Sequence, residues 1–135
     1  MSAMSDYLEG QLIAHIFRTS SFTKPTTLAV GLFTAAPSDS GGGTEVTGNN
    51  YSRATLNPLD ANWAAPTSGN GQTSNSSTIT FATPSGSWGT VTHFGIFDAA
   101  SAGNLLFWGS LTISKTINQS DTVSFPANSL TITFA

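Results

Sequence analysis

The sequence predicts an all-β domain, an antiparallel β-sandwich or jelly roll preceded by one N-terminal α-helix. Three observations lead there. From Ser20 onward the apolar residues recur with a period of two, in short runs. Gly, Pro, Asn and Ser punctuate those runs every few residues. The composition is dominated by 20 Thr, 19 Ser, 13 Gly and 9 Asn, and β-branched Thr suits a pleated surface while the others supply turns. A length of 135 residues suits one domain, residues 1–135, large enough for a real hydrophobic core.

The helix is expected over Asp6–Arg18. Ser5 is a natural N-cap, Asp6 and Glu9 sit at the positive end of the dipole, and Arg18 sits at the negative end. Leu8, Leu12 and Ile16 recur at i, i+4 and i+8, flanked by Ile13 and Phe17, which makes a wide apolar face.

A strand is expected over Thr27–Thr34, between Pro25 and Pro37, with Leu28, Val30 and Leu32 on one face and Ala29, Gly31 and Phe33 on the other. Asp39–Asn50 reads as a turn-rich connection around Gly41, Gly42 and Gly43, and Tyr51–Leu56 as a short strand. A long polar loop follows over 57–72, holding Trp63 and the turn cluster Ser68-Gly69-Asn70-Gly71. Ser77–Phe81 alternates like a half-buried strand. Val91–Phe97 and Leu105–Leu111 form a hairpin around Asp98–Asn104, and Thr116–Asn118, Thr122–Phe125 and Leu130–Phe134 complete the β-region 27–134.

These strands are of two kinds. Leu130, Ile132 and Phe134 alternate with Thr131 and Thr133, so that strand can face water on one side. In Val91–Phe97 both parities are apolar, and simple alternation sets Leu105, Phe107 and Leu111 against Leu106 and Trp108. Both faces of these strands need cover, from the helix or from a second chain. Leaving roughly 300 Å² of such surface in water forgoes about 7 kcal/mol of burial, comparable with a domain's net stability. The helix residues Leu8, Leu12 and Ile16, together with Trp108, are therefore candidate subunit or capsid contacts.

Charge narrows the function further. Seven acids and four bases give a net charge of −3, and 8% charged residues is far below the usual ~25%. Four bases are too few for binding that depends on neutralising phosphates, so no nucleic-acid partner is expected. Cysteine is absent, which excludes disulfides and thiolate metal sites. No run approaches ~18 consecutive apolar residues and no basic leader opens the chain, so no membrane span is expected and synthesis and assembly are expected in the cytoplasm.

Catalytic signals are weak. His93 with Asp98 as orienter and a nearby serine would make a hydrolytic set, but no Gly-x-Ser-x-Gly elbow accompanies them. His93 and His15 read as hydrogen-bonded packing residues, and no enzyme is expected. Asp39 and Glu45 share a Gly-rich loop without a calcium-loop pattern, and Gly41-Gly42-Gly43 lacks the Lys of a phosphate loop. No metal and no cofactor are expected. Trp63, Trp88, Trp108, Tyr7 and Tyr51 could stack on sugar rings, and Trp63, on the long loop, is the candidate for outer-loop recognition.

Several blocks occur in a recognisable order: Tyr7-Leu8-Glu9-x-x-Leu12-x-x-His15, Leu28-Ala29-Val30-Gly31-Leu32-Phe33-Thr34-x-x-Pro37, and Gly43-Thr44-Glu45-Val46-x-Gly48-x-x-Tyr51-x-Arg53. Trp88-Gly89-Thr90-Val91-Thr92-His93-Phe94-Gly95-Ile96-Phe97-Asp98-Ala99, then Gly103-Asn104-Leu105-Leu106-Phe107-Trp108-Gly109 and Lys115-Thr116, follow. Together they resemble small tailed-phage virion proteins, labelled tail fibre proteins, and are similar to capsid cement or decoration proteins. The resemblance implies a homotrimer that binds the major capsid protein on the outside of the assembled head and stabilises it. The alternative it implies is a tail fibre or receptor-binding module that recognises a host surface carbohydrate.

Overall fold

The computed structural model describes residues 2–66 and 69–134; Ser68 of the predicted turn cluster lies outside them. Among the described residues are ten strands and one helix: β1 (Ser2–Met4), α1 (Asp6–Phe17), β2 (Ala29–Ala35), β3 (Thr44–Glu45), β4 (Ala54–Thr55), β5 (Gln72–Ser74), β6 (Ile79–Thr80), β7 (Gly89–Phe97), β8 (Leu105–Ile117), β9 (Ser124–Phe125) and β10 (Thr131–Thr133). The main antiparallel sheet runs β1-β8-β7-β2-β3, with β4 also paired to β2. The pairs β10-β5 and β6-β9 form the opposing layer. The predicted β-sandwich with one N-terminal helix is the fold.

The helix starts where its cap says. The Ser5 hydroxyl accepts from the Leu8 N–H at 3.2 Å and donates to the Leu105 carbonyl at 2.6 Å, tying the helix to the start of β8. Arg18 is the C-cap, so the helix stops one residue earlier than expected. His15 Nδ1 then accepts from the Phe22 N–H at 3.1 Å and turns the chain back towards the sheet. No helix among the described residues is long and apolar enough to cross a membrane.

The predicted hairpin is present and longer than its apolar pattern. β8 continues to Ile117, so Thr116–Asn118 is not a separate strand: Thr116 pairs with Thr90 and Ile117 with Gly89 at the far end of the hairpin. The intervening Thr112, Ile113, Ser114 and Lys115 are exposed, so burial left no alternation there to read. β1, β3 and β5 are two or three residues long and were not expected.

Two register shifts between β7 and β8 decide which side chains enter the core. Ile96 pairs with Phe107 and Phe97 with Leu105, which leaves Leu106 as an extra residue. Leu106 and Phe107 both reach the core, while Leu105 and Trp108 share the opposite face. This corrects the grouping from simple alternation, because one inserted residue exchanges the faces beyond it. The second shift faces the single residue Thr92 with the four residues Leu111–Ser114, and it lets Val91 and Phe94 both point inward. The core lies between the layers, with Val30, Leu32, Val91, Phe94 and Ile96 on the main sheet and Ile79, Leu130 and Ile132 opposite.

The outer face of the main sheet is covered by the chain itself rather than by α1, which buries Leu8 alone. Gly31 and Gly95 sit opposite one another, and the Phe33 and Phe97 rings stack beside them with centroids 6.2 Å apart. A Cβ on Gly95 would stand 2.9 Å from Leu105 and Phe33 and 3.1 Å from Phe97. Gly95→Val is expected to cost about 1–3 kcal/mol through overpacking, read as a lower thermal midpoint with unchanged far-UV CD. A variant as stable as the wild type would show that the glycine pair is not needed for this packing.

Arg53 closes that face. Its guanidinium lies 3.4 Å from the Phe97 ring centroid and grips both Glu45 carboxylate oxygens at 2.8 and 2.9 Å. It also donates to the carbonyls of Ala99 at 3.1 Å and Ala102 at 2.7 Å, fastening the β7–β8 turn to the sheet. Within the turn, the Asp98 carboxylate accepts from the N–H and side-chain amide of Asn104 at 2.7 and 2.8 Å.

Candidate functional site

The candidate contact residues do not act as one stripe. Leu8 is 4% exposed and belongs to the core, so it is corrected from a candidate contact to an internal packing residue. Leu12 packs partly against the core, and Ile16 is 66% exposed. Each i+4 step advances about 40° around a helix with 3.6 residues per turn, so a line that starts on the core at Leu8 has rotated outward by Ile16. Ile13 and the 80% exposed Phe17 join Ile16 at this end of the helix. Phe17 flanks the predicted stripe, and the sequence held no sign that it would be the most exposed residue of this face.

Trp108 is half-buried on the outer face of the sheet, beside His93 with ring centroids 6.2 Å apart. Its indole N–H donates to Asp39 Oδ1 at 2.9 Å, which pins the ring to the Ser38–Gly41 turn. Asp39 is thus engaged by Trp108, and Glu45 by Arg53. His93 Nδ1 is hydrogen-bonded to the Thr92 hydroxyl at 2.7 Å, whereas Asp98 serves its own turn, so the structure does not join the two as base and orienter.

Of the aromatic residues considered for stacking, Trp88 and Tyr51 lie inside. Trp88 donates to the Asn49 carbonyl at 2.9 Å and meets Tyr51 edge-on at 5.2 Å. The Tyr51 hydroxyl accepts from the Leu32 N–H at 2.9 Å and donates to Glu45 at 2.8 Å. Burial, with the Glu45 carboxylate alongside, pushes the Tyr51 phenol well above its ordinary value, so it remains a donor. Tyr7 is partly exposed on the helix.

Trp63 borders a cavity of about 460 Å³ together with Leu59, Ile132, Phe107 and Phe134. Its indole N–H is spent on the Leu56 carbonyl at 3.1 Å, and the loop is strapped to β5 through Ala64 N–H to Ser74 O at 2.8 Å. Among the described residues, Asp60 is the one charged residue in the lining. Such walls suit an apolar group better than a sugar, whose hydroxyls would lose water without gaining partners.

A second concavity, of about 390 Å³ and with mixed apolar and hydroxyl walls, opens beside the far half of β8, where Leu32, Val91 and Phe94 of the core form part of its wall. The total accessible surface is 7449 Å². A compact monomer of 14.0 kDa exposes roughly 6700 Å² on average, so this fold presents about 750 Å² more than is typical for its mass.

A β-sandwich with few charges, open apolar hollows and surplus surface is built like a component of a larger particle, and the class here is the phage virion structural protein. The family model described as Podophage GP4 fiber I protein gp80 matches residues 3–133, and the chain belongs to that family. No curated protein matches the chain.

Proposed function

We propose that the protein is a non-catalytic, self-associating module of a phage tail fibre, built as a homotrimer. The match to a fibre family along residues 3–133 is the observation that carries the fibre assignment. The physics of the surface supports the self-association: Phe17, Ile16, Ile113 and Leu59 stand exposed on a fold with surplus area. Binding that exists only in the assembled state adds its free energy to that state, so each neighbour stabilises the fold it contacts. The same linkage would serve a cement protein on the capsid, and location separates the two roles.

Quantitative mass spectrometry of purified particles, with immunogold labelling, tests the assignment. A small copy number in multiples of three, with label confined to the tail, is expected. Hundreds of copies spread over the head would overturn the fibre role in favour of a cement protein bound to the major capsid protein.

A further inference from the structure

We infer that the Leu111–Ser114 bulge of β8 and the groove beside it act as knob and hollow, through which each copy of this chain docks head-to-tail on a second copy. This deepens the self-association reading and rests on it. Four residues stand opposite Thr92 alone, so the strand arches outward between the pairs Val91–Lys115 and His93–Ser110. Ile113 is 69% exposed on that arch. Ile113 stands on the rim of a groove of about 390 Å³ whose wall mixes Leu111, Val123, Phe125 and Leu130 with hydroxyl side chains and which reaches the core residues Val91 and Phe94. Knob and hollow therefore share one patch. A threefold axis beside the patch brings the knob of each copy to the hollow of the next, a head-to-tail contact that closes into a ring of three.

Two further features fit the same occupant. β1 pairs only with Phe107–Gly109, so among the described residues no strand lies along that edge of β8 from Ser110 onward. An unpaired edge presents backbone donors and acceptors that a neighbouring copy can satisfy. Lys115 and Asp121 line one small concavity at the end of the groove, and Lys115 forms no salt bridge among the described residues. In the head-to-tail contact Lys115 of one copy meets Asp121 of the next, whose Oδ2 also accepts from its own Asn118 N–H at 2.8 Å.

Sedimentation of the whole protein and its Ile113→Asp variant is the first test. Ile113→Asp is expected to raise the concentration of half-dissociation roughly tenfold or more, with unchanged melting, since the side chain is outside the core. A wild type that stays monomeric at every concentration would overturn this surface and the self-association reading together. An oligomer indifferent to Ile113→Asp would overturn this surface and leave that reading standing, and dissociation by Phe17→Asp instead would move the contact to the helix. The natural chain has no cysteine. Mixing differently tagged Ile113→Cys and Ser129→Cys proteins should therefore yield a mixed-tag disulfide dimer, whereas Phe17→Cys with Ser129→Cys should not. Absence of the first product, with assembly intact, would also overturn the surface.

Discussion

Arg53→Ala is expected to lower the unfolding free energy by about 3 kcal/mol, the low end of the loss for breaking a buried ion pair. The low end applies because the Glu45 side chain remains 24% exposed, against 10% for Arg53. The loss has three sources. Glu45 is left with a half-buried carboxylate beside the Tyr51 phenol. The Phe97 ring loses the plane stacked on it. The Ala99 and Ala102 carbonyls lose the donor that holds the β7–β8 turn against the sheet. Urea unfolding measures the effect as a lower midpoint at constant slope. Arg53→Lys keeps the charge but cannot present a planar fork, and should lose about half as much. Adding Glu45→Gln to Arg53→Ala should recover part of the loss, because the stranded charge is gone. An Arg53→Ala protein within about 0.5 kcal/mol of the wild type, the range of ordinary surface substitutions, would refute the clamp.

Asn75→Ala should be at least as damaging, at about 3–4 kcal/mol, since it strands several backbone groups at once. Asn75 is fully buried in the connection from β5 to β6. Its side-chain amide donates to the carbonyls of Ser77 and Pro126, both at 2.9 Å, while its oxygen accepts from the buried Leu130 N–H at 2.9 Å. One side chain thus joins the β5–β6 connection to the turn between β9 and β10. Asn75→Asp separates hydrogen bonding from shape. It places an oxygen where an NH₂ faced two carbonyls, so burial and repulsion raise the folded-state pKa of the new acid. A raised folded-state pKa makes the penalty full above it and relieves it as pH falls through it, when the protonated acid donates again. Thermal melts of Asn75→Asp across the acid range should therefore approach those of the wild type on the low-pH side. A penalty that grew as pH fell would contradict this role.

Much of the architecture was legible because it rests on local chemistry. Ser5 before an acidic first turn marked the helix start, and period-two runs flanked by Gly and Asn marked the β7–β8 hairpin and the last strands. The limits were equally physical. β1 is three residues of Ser, Ala and Met, too short to carry a period, and its place is set by pairing with β8. The extra residue at Leu106 leaves no mark in an unbroken apolar run, yet it decides that Leu105 and Trp108 face away from the core. Leu8 looked like part of an exposed stripe because periodicity shows that a face is apolar without showing where the helix departs from the body. Arg53 and Asn75 sit in aperiodic stretches, and their importance comes from partners up to 55 residues away. The Trp63 loop was singled out for its length and its large ring, and the structure places that ring on an apolar cavity.

On the function proposed above, this fold exposes apolar surface meant for neighbouring copies. Sedimentation equilibrium of the purified wild-type chain over a wide concentration range tests it most directly. The predicted result is concentration-dependent growth from the 14.0 kDa monomer to a closed oligomer, a trimer on the reading proposed above. A single 14.0 kDa species at every concentration would contradict it.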